Sequence, residues 1–118
     1  MRVLRYSAHQ RFAVRRKATI HHEGRRIGSG LLVELSQEGC RIGCLSDAGQ
    51  SNVLALEISD QVVIKIDGAP PIEGRVRWTE GGILGVRLTH AFHRAELDSL
   101  IRTCRGEFDE TEAREYGT

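Results

Sequence analysis

The chain contains no apolar run approaching twenty residues, and Arg2, Val3, Leu4, Arg5 and Tyr6 after Met1 open no hydrophobic signal region. Neither a membrane span nor secretion is therefore expected, and the cytoplasm is the expected compartment. Cysteine is scarce: Cys40, Cys44 and Cys104 are odd in number and carry no C-x-x-C spacing. That argues against a disulfide framework or a structural zinc site and for reduced, mostly buried thiols. Aromatics are few, with one Trp, two Tyr and three Phe, and basic residues do not interleave with them along the candidate strands. An oligonucleotide-binding barrel, which needs stacking platforms for successive bases, is correspondingly disfavoured. The formal net charge of +1 is too small for bulk electrostatic binding to long nucleic acid. There is no Gly-rich P-loop, and Ser36 has no sequence-evident His and Asp partners, so an enzyme is not expected. His21 and His22 would face opposite sides of a strand, while His90 and His93 could share a helical face without a visible third ligand. No metal and no cofactor are expected.

What is present fits one compact domain: 118 residues, 40% of them hydrophobic, with no internal repeat and no low-complexity linker. Charge is polarised along the chain. Residues 1–26 carry eight basic side chains against Glu23, and residues 106–118 carry five acidic ones against Arg114. The expected organisation is a flexible basic arm over residues 1–10, a folded domain over 11–105 and a solvated acidic tail over 106–118.

Period-two alternation dominates. It predicts a first strand over 16–22, a hairpin tip at His22, Glu23, Gly24 and Arg25, and a second strand over 30–35 with Leu31, Val33 and Leu35 on one face. Cys40, Ile42 and Cys44 alternate with Arg41 and Gly43 in a third strand, and the polar segment 46–51 reads as a loop. Val62, Ile64 and Ile66 share a face, as do Ile72, Val76 and Trp78, which makes Trp78 a core or barrel-end anchor. Gly81 and Gly82 then turn the chain into Leu84, Val86 and Leu88. Leu97, Leu100, Ile101 and Cys104 break the alternation with helical spacing, predicting one amphipathic helix from about His93 to Gly106 that caps a barrel end. Short strands and tight turns, with no room for crossover helices before residue 90, make this a mainly β chain: a six-stranded antiparallel barrel with a C-terminal helix.

One constellation carries chemistry. Arg11 and Arg15 stand four apart, and nineteen residues after Arg15 comes Glu34, Leu35, Ser36, Gln37, Glu38, Gly39. Guanidinium forks bond phosphate oxygens, stack on bases and bond the O6/N7 edge of guanine, while a Ser and a Gly in a turn supply a hydroxyl and a close backbone approach. R-x-x-x-R just before a first strand followed by [DN]-x-S-x-x-G between the second and third resembles the PilZ domain, a bacterial six-stranded barrel that typically binds cyclic di-GMP. The late segments Ile72, Glu73, Gly74, Arg75, Val76, Arg77, Trp78 and Gly85, Val86, Arg87, Leu88 are also similar to that family, over roughly residues 9–105.

The resemblance implies that Arg11 and Arg15 contact the guanines and phosphates of the ligand, that Arg16 substitutes or assists, and that Glu34, Ser36 and Gly39 meet it from the turn. Glu34 departs from the family's Asp or Asn by one methylene, which either keeps its acceptor role or lets it pair with Arg11 or Arg15 in the empty protein. The expected function is a cyclic di-GMP receptor and adaptor that signals to a partner protein, as a monomer or weak dimer, with motility or biofilm regulation as its output. The competing expectation is a divergent adaptor that binds a protein without nucleotide.

Overall fold

The computed structural model describes residues 10–43, 53 and 55–117, with side chains described up to residue 105. Six strands, β1 (Phe12–His22), β2 (Arg25–Leu35), β3 (Gly39–Gly43), β4 (Gln61–Lys65), β5 (Ile72–Glu80) and β6 (Ile83–Leu88), precede one helix, α1 (Arg94–Gly117). They close into an antiparallel barrel in the order β1-β2-β3-β6-β5-β4, with β4 pairing back onto β1 through Thr19 to Lys65, Ile20 to Ile64 and His21 to Val63. Closure pairs the sheet all round, so these strands present no long open edge. Two-residue hairpins join β1 to β2 at Glu23 and Gly24, and β5 to β6 at Gly81 and Gly82. All four turn residues have positive φ, the backbone twist that matches a right-twisted hairpin.

The interior is apolar and continuous. Ile20, Leu32, Leu35, Ile42, Ile64 and Leu84 are fully buried. Burial of each stabilises the fold by roughly 1.5–3 kcal/mol relative to exposure. Leu97, Leu100, Ile101 and Cys104 of α1 join the same core, and α1 packs on β1. The helix is started by its own sequence: the Glu96 carboxylate accepts from the His93 amide (2.8 Å), one half of a capping box.

The first strand begins four residues earlier than the alternation suggested. Phe12 packs partly buried against the core and opens β1, so Arg15 lies inside the strand and not before it. In β2 the inward residues are Leu32 and Leu35, while Leu31 and Val33 are only half-buried. A β-bulge explains the change of phase: on β3, Ile42 pairs with Leu32 and the adjacent Arg41 pairs with Glu34, leaving Val33 as an extra residue. The helix does not stop at Gly106 but continues to Gly117. A glycine costs a helix interior only about 1 kcal/mol, and Glu107, Glu110, Glu112, Ala113 and Arg114 beyond it are good helix formers. The expected arm over 1–9, Cys44 and the loop 46–51 lie outside the described residues.

Candidate functional site

Residues paired across antiparallel strands share a face. On the outer face of the barrel the register therefore builds one continuous row over five strands: Ala13 opposite Glu34, Glu34 opposite Arg41, Arg41 opposite Gly85, and Gly85 opposite Trp78. A second row beside it runs Gly39, Arg87, Arg75. Above these rows lies a cleft of about 280 Å³, whose lining includes Arg11, Glu34, Ser36, Glu38, Gly39, Arg41, Arg77, Trp78 and Arg87.

The turn at its rim is held from within and from behind. The Ser36 amide donates to the Gly39 carbonyl (2.9 Å), and the amides of Glu38 and Gly39 donate to Ser36 Oγ (3.3 and 3.1 Å). Behind the turn, the Leu88 amide donates to the Glu38 carbonyl (2.8 Å), while Gln37 and Phe92 exchange two bonds, Phe92 N to the Gln37 carbonyl (2.9 Å) and Gln37 Nε2 to the Phe92 carbonyl (3.2 Å). The turn is thus anchored to the segment that leads into α1. Gly39 is required by close approach: a Cβ there would stand 2.7 Å from the Val86 carbonyl oxygen. Its place at the end of the motif therefore has a reason in strand packing, beside any contact with a ligand.

Trp78 is the clearest departure from the alternation. Val76 pairs with Val86 and Trp78 with Gly85, so Arg77 is an extra residue in β5. The bulge turns Trp78 off the core face to which Val76 and Ile72 belong and onto the outer face, half-buried. Its ring lies on the bare backbone of Gly85, where a Cβ would come within 2.5 Å of the ring. The Arg41 guanidinium stands over the ring, 5.3 Å from its centroid, within cation–π range. Glu34 pairs with Arg41 (Oε1 to Nε, 3.2 Å) and not with Arg11 or Arg15. Strand register decides this, because Arg41 is the residue directly opposite Glu34.

Of the six residues singled out from the sequence, Arg11, Glu34, Ser36 and Gly39 come together in the cleft. Arg15 is exposed on β1 in a second bulge, where two residues, Val14 and Arg15, oppose Val33 alone, and it does not line the cleft. Arg16 points the other way. It is 8% exposed and donates from Nη2 to the Asp67 carbonyl (2.5 Å) and from Nη1 to the Thr103 carbonyl (3.3 Å). It shares the inward parity of Val14, Ala18 and Ile20, and it ties β1 to the β4–β5 turn and to α1 instead of facing the cleft. The carbonyl of Ala13, next to the bulge, accepts two bonds from Arg105 of α1 (Nη2, 2.7 Å; Nε, 3.0 Å).

Arg41, Arg77, Trp78 and Arg87 were not singled out as site residues. Arg41 alternates with Cys40 and Ile42, so its outward face was legible, but which strand it faces was not. The lining carries Arg11, Arg41, Arg77 and Arg87 against Glu34 and Glu38, a surplus of two positive charges. Among the described residues, the guanidinium groups of Arg11, Arg77 and Arg87 form no ion pair or hydrogen bond, so three positive charges line the cleft without a described partner. Cys40 lies beneath it, its thiol pushed up to about 12 by burial, and supplies no nucleophile at neutral pH.

The family model for the PilZ domain matches residues 7–106, spanning the arginine motif, the whole barrel and the first half of α1. The chain belongs to the PilZ domain family. No curated protein matches it. PilZ domains are binding and adaptor modules of the cyclic di-GMP signalling family, and in this PilZ domain the cleft brings Arg11 of the first motif beside Glu34, Ser36 and Gly39 of the second. No described helix is long and apolar enough to cross a membrane.

Proposed function

We propose that this PilZ domain is a cytoplasmic cyclic di-GMP receptor that acts by binding, without turnover, and passes the nucleotide level to a partner protein. One observation carries the reading: Arg11, Glu34, Ser36 and Gly39, from two segments apart in sequence, line a single outer cleft whose charge surplus matches a doubly anionic ligand. Cyclic di-GMP has two phosphates and two guanines, and a guanidinium can bond either group or stack on the base. At about 280 Å³ the cleft is slightly smaller than most ligand sites, so it holds part of the dinucleotide. Arg15, exposed in the bulge beside Val14, reaches the ligand by a local rearrangement of that bulge. That rearrangement is felt by α1 through the Ala13 to Arg105 bonds, which gives the partner a surface that differs between the empty and filled states.

Isothermal titration with cyclic di-GMP tests this. The expected result is measurable heat for the parent and at least about tenfold weaker binding for Arg11→Ala and for Arg15→Ala, the loss of one charge-assisted contact. Absence of heat in the parent sinks the receptor reading. A second reading, a PilZ adaptor indifferent to nucleotide, is favoured by one observation: the Glu34 carboxylate already occupies Arg41. Such an adaptor would capture its partner equally with and without cyclic di-GMP and would be unaffected by Arg15→Ala.

A further inference from the structure

The row Glu34, Arg41, Gly85, Trp78 has the parts of a layered stack; Glu34 belongs to the Ser36 motif, Gly85 and Trp78 to the late segments similar to the family, and Arg41 to neither. Gly85 removes the side chain that would otherwise fill the space under the indole, so the ring beds directly on the β6 backbone. Arg41 stands over the ring, and Glu34 bonds Arg41 at Nε, on the edge of the guanidinium. An edge-bound guanidinium keeps both flat faces free of the Glu34 carboxylate; its central carbon stands over the Trp78 ring, and the side chain is 38% exposed and lines the cleft. Nε is the Arg41 nitrogen nearest the Glu34 carboxylate, so the terminal nitrogens remain as donors for an anion in the cleft. The extra methylene of Glu34, compared with an Asp at that position, is what carries a carboxylate across the β2–β3 gap to Arg41.

We propose, on the strength of the nucleotide-binding reading above, that Arg41 is a preformed stacking shelf for a purine base. Trp78 is its floor, and Glu34 is the positioning residue that fixes its plane. The ligand class is an anionic purine nucleotide: the base lies on the open face of Arg41, and its phosphate is met by the unpaired Arg11, Arg77 and Arg87. The substitution of Glu for Asp or Asn then does not abolish binding but changes the residue's task, from accepting a bond at the guanine edge to holding another side chain flat. Lysine cannot replace Arg41, because an ammonium has the charge without the plane.

Trp78 is the only tryptophan of the chain, so its emission reports this stack alone. Tryptophan fluorescence and calorimetry are to be followed while cyclic di-GMP, and separately guanosine 5′-monophosphate, is titrated into the parent, Arg41→Lys, Arg41→Ala, Glu34→Gln and Glu34→Ala. The parent is expected to change its emission with the same midpoint as the heat. Arg41→Lys and Arg41→Ala should both bind about tenfold more weakly, and both should lose the emission change. Glu34→Gln keeps an acceptor for Nε and should bind at least as well as the parent, whereas Glu34→Ala should weaken binding about two- to fivefold, the range of an exposed pair.

Cyclic di-GMP heat without any change in Trp78 emission, or Arg41→Lys binding like the parent, overturns the shelf and leaves the receptor reading standing. Emission changes with guanosine 5′-monophosphate but none with cyclic di-GMP leave the shelf and remove that receptor reading. No response to either nucleotide in the folded parent overturns both.

Discussion

Arg16 separates a structural from a ligand-binding role for the arginines of β1, and its replacement has a calculable outcome. The side chain is 8% exposed and donates to two main-chain carbonyls, Asp67 in the β4–β5 turn and Thr103 in α1. Truncation to Ala removes both donors and empties the volume of the stem. A lost hydrogen bond with a charged donor costs about 1.5–3 kcal/mol, but the Thr103 contact is long and the exposed Asp67 turn can be re-solvated, so together they contribute about 1–3 kcal/mol. Lost packing of the aliphatic stem adds about 1 kcal/mol, for a total near 2–4 kcal/mol. At this chain length each kcal/mol lowers the melting temperature by about 4 °C, so Arg16→Ala should lose about 8–16 °C. Arg16→Met, which keeps the stem, should recover part of the loss. The assay is thermal and urea unfolding followed by circular dichroism, paired with a cyclic di-GMP titration at a temperature where the variant is folded. Affinity should change by less than about fivefold, as expected for a charge turned away from the cleft and held on the Asp67 and Thr103 carbonyls. A variant that melts within about 2 °C of the parent yet no longer binds nucleotide would refute the clamp and return Arg16 to the site.

Three further outcomes follow from single contacts. Gly85→Ala would put a Cβ 2.5 Å from the indole, so Trp78 must lift away; the variant should lose about 1–3 kcal/mol in urea unfolding and shift the tryptophan emission, and an unchanged spectrum would contradict the packing. With Cys44 and Cys104 changed to Ser, Cys40 should resist a thiol reagent at pH 8 until the protein unfolds, because burial pushes its thiol up to about 12; labelling within seconds of mixing would contradict that burial. Burial first, then the charges of Lys65 and Arg26, hold the His21 imidazole below its usual value. The unfolded chain therefore protonates His21 at higher pH than the folded one does. Stability should be complete above about pH 6.5 and decline as pH falls through that value toward the folded one, with a shallower decline in His21→Gln by urea titration.

The barrel was legible wherever alternation ran unbroken. Val62, Ile64 and Ile66 on one side and Leu84, Val86 and Leu88 on the other point inward as their spacing says, and the helix buries the residues its periodicity marks. Alternation failed where a strand carries an extra residue. The bulge at Val33 exchanged Leu31 and Val33 for Leu32, and the bulge at Arg77 took Trp78 from the core face to the outer one. A bulge leaves little trace in the pattern of one strand, because it is defined by the strand opposite. Arg16 could have been placed: Val14, Arg16, Ala18 and Ile20 alternate cleanly once Phe12 is admitted to β1. The site was legible as spacing, which joined Arg11 to the 36–39 turn. Its other wall was not, since Arg41, Trp78 and Gly85 become neighbours only through the β3–β6 and β5–β6 pairings.

An amide chemical-shift titration of the whole chain with cyclic di-GMP tests the receptor account most directly, because it reports binding and its location together. Saturable shifts should concentrate at Arg11 to Arg15, at the 36–39 turn, at Arg41 and Arg87, and at the Trp78 indole N–H. Spectra that do not change at millimolar nucleotide, or shifts confined to β4 and the far side of the barrel, would contradict it.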